Sequence, residues 1–203
     1  MNGGDERDLD TLLSEIRACC LCADLLPHEP RPVLQAGPRA RILVVGQAPG
    51  RRVHETGLPF NDPSGERLRD WMGIGRETFY DPARLNIVPM GFCYPGTDPK
   101  GGDRPPRPEC AAHWRKRLLS TLGPQDLTLV IGQYAMRWHL GREAMREGVS
   151  GVVRRWREFA PALFPLPHPS PRNIGWFRRH PWFEAEVVPA LRRRIAEVLG
   201  HPR

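Results

Sequence analysis

Chemistry in this sequence is concentrated in five cysteines, one histidine set among prolines, and a turn bracketed by glycines. Cys19 and Cys22 form a C-x2-C pair, and Cys93 and Cys110 follow far downstream. Thiolates from two distant segments can hold an iron–sulfur cluster. Four cysteines also suit a zinc ion, and buried free thiols are a third reading. Cys20 is left over from any set of four. The odd cysteine count and a start without an apolar secretory stretch favour metal or redox use over a disulfide framework. Gly46-Gln47-Ala48-Pro49-Gly50 follows a short apolar run, and its glycines permit close backbone approach to a ligand. His168 lies in the stretch PHPSPRN, whose three prolines stiffen the loop that carries it.

These residues need a frame. Ile42, Leu43, Val44 and Val45, within Arg41–Gln47, read as a strand buried on both faces. The loop after such a strand, Ala48–Phe60, sits at the carboxyl edge, where open α/β sheets bind ligands. Asp8–Ala18 has helical apolar spacing, with Asp8 as its cap, and Leu25–Arg39 is proline-rich and extended. Asn61-Asp62-Pro63-Ser64 is a helix start, with Leu68, Trp71 and Met72 as the apolar stripe. Leu85–Phe92 is a second strand, which Pro89 consigns to an edge or to an early end. A long Gly/Pro loop, Cys93–Pro108, leads to a helix over Glu109–Leu122, with Cys110, Trp114 and Leu118 on one face.

The third strand is Leu127–Ile131, followed by a helix. Gly148–Phe159 reads as an extended, basic excursion. Leu163–Leu166 is the fourth strand, and Trp182–Leu199 is an amphipathic helix kinked at Pro189. The alternation predicts an α/β fold: a small, mostly parallel four-stranded sheet flanked by helices in three layers, α/β/α. One domain over residues 1–203 is expected, with a flexible start over about residues 1–7. In a parallel sheet the loops after strands one, two and four leave the same edge.

The net charge is +7, mostly from arginine, with 23 prolines among 203 residues. Arginine's planar fork suits phosphate, so a polyanionic partner is favoured. No apolar run is long enough to span a membrane.

Taken in order, GQAPG at 46–50, GLPF at 57–60 and HPSPRN at 168–173 resemble the uracil-DNA glycosylase superfamily. That superfamily has a strand-end motif, an aromatic a few residues later and a C-terminal HPS loop. The resemblance spans roughly Cys19 to the last helix. The iron–sulfur, family 4-like branch of bacteria and archaea is nearest. Its members resemble Gly-Glu-(Ala/Gly)-Pro-Gly followed about ten residues later by Arg-Pro-Phe, and Arg51–Phe60 keeps that separation. The resemblance implies a DNA repair glycosylase that flips out a deaminated base, uracil foremost, and hydrolyses its N-glycosidic bond to leave an abasic site.

By the same resemblance, Cys19, Cys22, Cys93 and Cys110 hold a 4Fe-4S cluster. His168 donates a hydrogen bond to a base carbonyl that gains charge as the bond breaks. Phe60 stacks on the flipped base, and Gln47 and Ala48 contact base or water through their backbone amides. Ser170, Arg172 and Asn173 touch DNA, with Arg172 as the wedge that fills the vacated space. Arg178, Arg179 and His180 extend a basic strip for the backbone, and Arg192–Arg194 are read as solvated.

The sequence also departs from the pattern. Ala48 stands where some branches place a water-activating aspartate, and Gln47 where the iron–sulfur branch has glutamate. Gln47 orients water but cannot take its proton. Pro89 stands where relatives carry a base-reading asparagine. Asn86 is out of register, and Asn61 is the substitute reader. These losses leave a second expectation open, a module of the same fold that binds damaged or single-stranded DNA with weak or lost chemistry. A third is a redox or metal-regulatory protein. DNA is the expected partner in the first two, with no membrane, a monomeric chain and a cytoplasmic, nucleoid-associated location.

Overall fold

A computed structural model describes residues 3–99 and 101–200, with side chains from Asp8 onward. Four strands, β1 (Ile42–Val45), β2 (Leu85–Ile87), β3 (Leu127–Ile131) and β4 (Leu163–Leu166), form an all-parallel sheet in the order β2-β1-β3-β4. The register sets Leu43 beside Asn86 and Thr128, and Ile131 beside Leu166. Every residue of β1 is buried. Successive side chains point to opposite faces, so helices must cover both.

Before the sheet comes α1 (Gly3–Arg17). It begins at Gly3, so Asp8 lies inside the helix instead of capping it. Residues 1 and 2 lie outside the described residues. Between β1 and β2 run α2 (Arg51–Thr56), α3 (Pro63–Met72) and α4 (Arg76–Phe79). The expected helix start at 61–64 holds, and Asp62 caps α3, its Oδ1 accepting from the Gly65 N–H at 2.9 Å. After β2 come α5 (Pro108–Cys110), a π turn over Ala111–Arg115, and α6 (Lys116–Leu122).

After β3 come α7 (Gly132–Ala144), broken at Gly141, and α8 (Gly148–Arg154). The stretch 148–159, expected to be extended, is instead an α-helix over Gly148–Arg154 followed by a 3-10 turn over Trp156–Glu158. Val152 and Val153 are both fully buried, and α8 packs on β4 and α7. The closing segments are α9 (Ile174–Arg179), a π turn over Phe183–Val187, and α10 (Val188–Gly200). The π turn ends two residues before Pro189, whose missing N–H cannot continue a regular helix ladder. Leu9, Leu12, Leu13 and Ile16 of α1 pack toward α6, and the apolar stripe of α3 meets α10.

Pro165 and Pro89 sit where the topology allows them. Pro165 lies in β4, an edge strand, and β2 ends before Pro89, as a missing ladder donor requires. The proline-rich segment 26–39 covers the outer edge of β2. Gln35 exchanges two backbone hydrogen bonds with Ile87, at 2.9 and 2.7 Å. A Cβ on Gly37 would stand 2.0 Å from the Pro82 carbonyl oxygen, so only glycine fits there. Buried Asn86 belongs to this scaffold. Its Oδ1 accepts from the Gly37 N–H at 2.8 Å. Arg192 and Arg194, expected to be merely solvated, tie α10 down by donating to Asp70 and to the Pro161 and Asp126 carbonyls. Among the described residues, no helix is long and apolar enough to cross a membrane.

Candidate active site

The loops after β1, β2 and β4 converge on a cavity of about 450 Å³ at the carboxyl edge of the sheet. Gly46, Gln47 and Ala48 form one wall. Phe60, Pro89, Asp103, His168, Ser170 and Arg172 contribute to the others. The β1 and β2 loops are joined by backbone hydrogen bonds, from the Met90 N–H to Gly46 O and from the Gly91 N–H to Gln47 O.

His168 is partly buried, two residues past β4. Its Nδ1 accepts the Ser170 N–H at 3.2 Å, so in the neutral ring the proton must reside on Nε2. Burial lowers the imidazole pKa, with Asp62 opposing it by a smaller amount. The ring is therefore neutral at neutral pH and presents an Nε2–H donor. The Asn173 side chain donates to the His168 carbonyl at 2.8 Å, and Arg67 donates to the Pro169 carbonyl at 3.1 Å. Asn173 thus holds the histidine loop from within. Ser170 accepts the Arg172 N–H, and the Arg172 guanidinium donates to Gly101 O at 2.8 Å, tying the HPS loop to the loop after β2.

Phe60 is the one non-glycine residue with positive φ among the described residues, at 53°. A side chain in this left-handed region costs on the order of 1–3 kcal/mol, so the surroundings must hold it. They do. Arg69 and the Tyr80 hydroxyl both donate to Phe60 O, at 3.3 and 3.4 Å. A Cβ on Gly65 would lie 1.7 Å from that same oxygen. The ring lies against Gly46, where a Cβ would meet it at 3.1 Å. The motif-one glycine is thus needed for the aromatic floor as well as for its own loop.

Gln47 reaches the Arg104 carbonyl only at 3.5 Å, leaving its amide available to the cavity. Asn61 is not brought to the cavity. Its Oδ1 accepts from Arg76 at 3.4 Å instead. Pro89 lines the wall without a polar side chain. Arg178 and Arg179 are exposed on α9, and His180 stacks on Trp176.

Sequence reasoning missed three residues. Asp62 and Asp103 are the carboxylates on the cavity wall. Asp103 is exposed as a residue, yet desolvation raises its carboxyl pKa above the ordinary value. Arg115 is fully buried and donates to the carbonyls of Val88 and Pro89 at 2.9 and 2.8 Å, fixing the β2 loop from behind. Beyond α2 lies a second groove of about 440 Å³, lined by His28, His54 and Tyr94 and by the exposed Arg51 and Arg104.

On another side of the molecule, Cys19, Cys22, Cys93 and Cys110 line one small void, and Cys20 is exposed outside it. The Trp114 indole N–H donates to Cys19 Sγ at 3.2 Å, and the Phe92 N–H donates to Cys110 Sγ at 3.3 Å. Burial pushes the Cys93 thiol up to about 11 and the Cys110 thiol to about 12, so without a metal both stay protonated and inert. Among the described residues no three Cys, His, Asp or Glu side chains converge on a single metal ion.

The sequence model of the uracil DNA glycosylase superfamily matches residues 34–192. The matched span runs from the segment that edges β2 into α10 and takes in the GQAPG loop, Phe60, Asp103 and the HPS loop at the cavity. This parallel sheet, with its cavity-lining GQAPG and HPS loops, therefore belongs to the uracil DNA glycosylase superfamily.

Proposed function

We propose that this chain is a monofunctional DNA glycosylase that hydrolyses the N-glycosidic bond of a flipped, deaminated base, uracil foremost. The observation that carries the reading is the neutral His168 ring, with Nδ1 engaged by Ser170 and its Nε2–H free at a cavity shared with Phe60 and Gln47. A donor placed where a base carbonyl gains negative charge stabilises the departing anion, and the loss of one such donor typically costs about 10²- to 10³-fold in rate. Phe60 offers the base a face, and Gln47 orients water without accepting its proton. The cavity volume lies within the range of about 300–1,000 Å³ usual for small-ligand clefts.

The test is incubation of purified protein with single- and double-stranded oligonucleotides carrying uracil, hypoxanthine or xanthine, followed by alkali. Scission at the modified base supports the reading, and no scission above an empty control refutes it. Ala48 and Pro89, which bring no polar side chain to the cavity, favour a second reading as a damage-binding module. Tight, salt-sensitive binding without product would select that alternative.

The four cysteines fit an iron–sulfur cluster, as in the family 4-like branch. The donor set is all thiol, two N–H groups already point at sulfur, and a cluster spreads its ligands over several irons instead of one point. When bound, such a cluster would pin the segment after α1 to the β2 loop and α5. Anaerobic absorbance together with iron and sulfide assays tests this. Colourless protein containing zinc, or no metal after anaerobic purification and reconstitution, refutes it.

A further inference from the structure

Motif one carries Ala48, so Gly46–Gly50 offers water no acidic side chain. Two carboxylates from other segments reach the same cavity, Asp62 and Asp103. They are not equivalent. Asp62 is committed to α3 through its cap to Gly65. The Asp103 carboxylate, delivered by the long loop after β2, takes no hydrogen bond from the described residues. Its Oδ2 stands 3.4 Å from the place a Cβ would occupy on Gly50, the last residue of motif one. An unengaged carboxylate from the second loop is therefore laid against the loop that lacks one.

We propose that Asp103 is the general base of the hydrolysis, supplying to the cavity the carboxylate that Ala48 leaves out. The inference rests on the glycosylase reading. Water oxygen attacks C1′ of the deoxyribose, and one water O–H bond breaks with its proton passing to the Asp103 carboxylate. The C1′–N bond breaks with its electron pair going to the base, whose anionic carbonyl oxygen is held by the His168 Nε2–H. The base then takes a proton from solvent, and Asp103 returns its own. Efficient proton transfer favours a base with a pKa near the working pH. Around Asp103, desolvation and Asp62 raise the acid while Arg172 and Arg51 lower it, and the neutral His168 ring adds no charge.

The experiment is single-turnover excision from a uracil-containing single-stranded oligonucleotide across about pH 5 to 9. Asp103→Asn, Asp103→Glu and Asp62→Asn are compared, alongside binding of an abasic-site oligonucleotide by fluorescence anisotropy. Asp103→Asn should slow excision by roughly 10²- to 10⁴-fold and flatten the acid limb of the profile. Asp103→Glu should restore part of both, and Asp62→Asn should keep the limb. Binding by Asp103→Asn should stay within about twofold of wild type, since general-base work leaves ground-state affinity alone. An active wild type whose limb survives Asp103→Asn, or whose limb vanishes in Asp62→Asn, overturns the assignment. So does a loss of binding by Asp103→Asn that matches its loss of rate, which would mark a rim contact. A wild type that excises no base refutes the glycosylase reading itself, and this inference falls with it.

Discussion

Acid should weaken the fold through His139 in a way that can be isolated. His139 Nε2 sits 3.2 Å from the Arg115 guanidinium, and Arg115 is fully buried while it holds the carbonyls behind the cavity wall. Burial, and then Arg115 itself, depress the imidazole pKa to about 4. The unfolded chain takes up this proton near 6.5, so the folded state resists it over the window from about 6.5 down to about 4. Stability from this group is complete above that window and is lost as pH falls through it. At about 1.4 kcal/mol per pH unit the loss approaches roughly 3 kcal/mol, and residual solvent contact trims it toward about 2 kcal/mol. Urea denaturation of wild type and His139→Gln at about pH 7.5 and 4.5 measures it. Glutamine keeps an acceptor for Arg115 but does not titrate, so the variant should lose less stability by about the stated amount. Equal losses in the two proteins would refute the coupling.

Three further outcomes are expected. His168→Leu should slow single-turnover excision by about 10²- to 10³-fold, and an unchanged rate would remove its assigned role. Gly65→Ala drives a methyl into the Phe60 carbonyl. It should cost about 2 kcal/mol, seen as a drop of roughly 4–8 °C in thermal melting; an unaltered Tm would mean that the Phe60 turn is not clamped as described. Arg51→Gln and Arg104→Gln, at the groove beyond α2, should each reduce the slope of log Kd for DNA against log salt by about one. A slope that does not move would place the phosphate path elsewhere.

The strands were legible because short β-branched apolar runs, such as Ile42–Val45, permit little else, and Pro89 announced the early end of β2. The meeting of the GQAPG and HPS loops at one cavity was legible because both follow strands of a parallel sheet and so leave the same edge. Other features were hidden for physical reasons. In Gly148–Arg154 the valines and glycines look strand-like, but packing on β4 and α7 overrides that local preference. Arg115 looks like one more surface cation, yet it lies at the end of a π turn that shifts the helical phase and carries it inward. Asp103 sits in a glycine-rich loop with no periodicity, so only the folded chain reveals that it faces Gly50. Asn61 misled in the opposite direction, since adjacency to Phe60 along the chain did not bring it into the cavity.

The left-handed turn at Phe60 has a consequence for selectivity. Because Gly46, Gly65, Arg69 and Tyr80 hold that ring before any ligand arrives, the depth of the slot beneath it is set when the chain folds. Adjustment to a larger guest would have to come from a less firmly held part of the wall, such as Arg172, which bridges to Gly101. Loosening the floor should therefore broaden the range of bases admitted, whereas cutting the bridge should change how quickly any one of them enters.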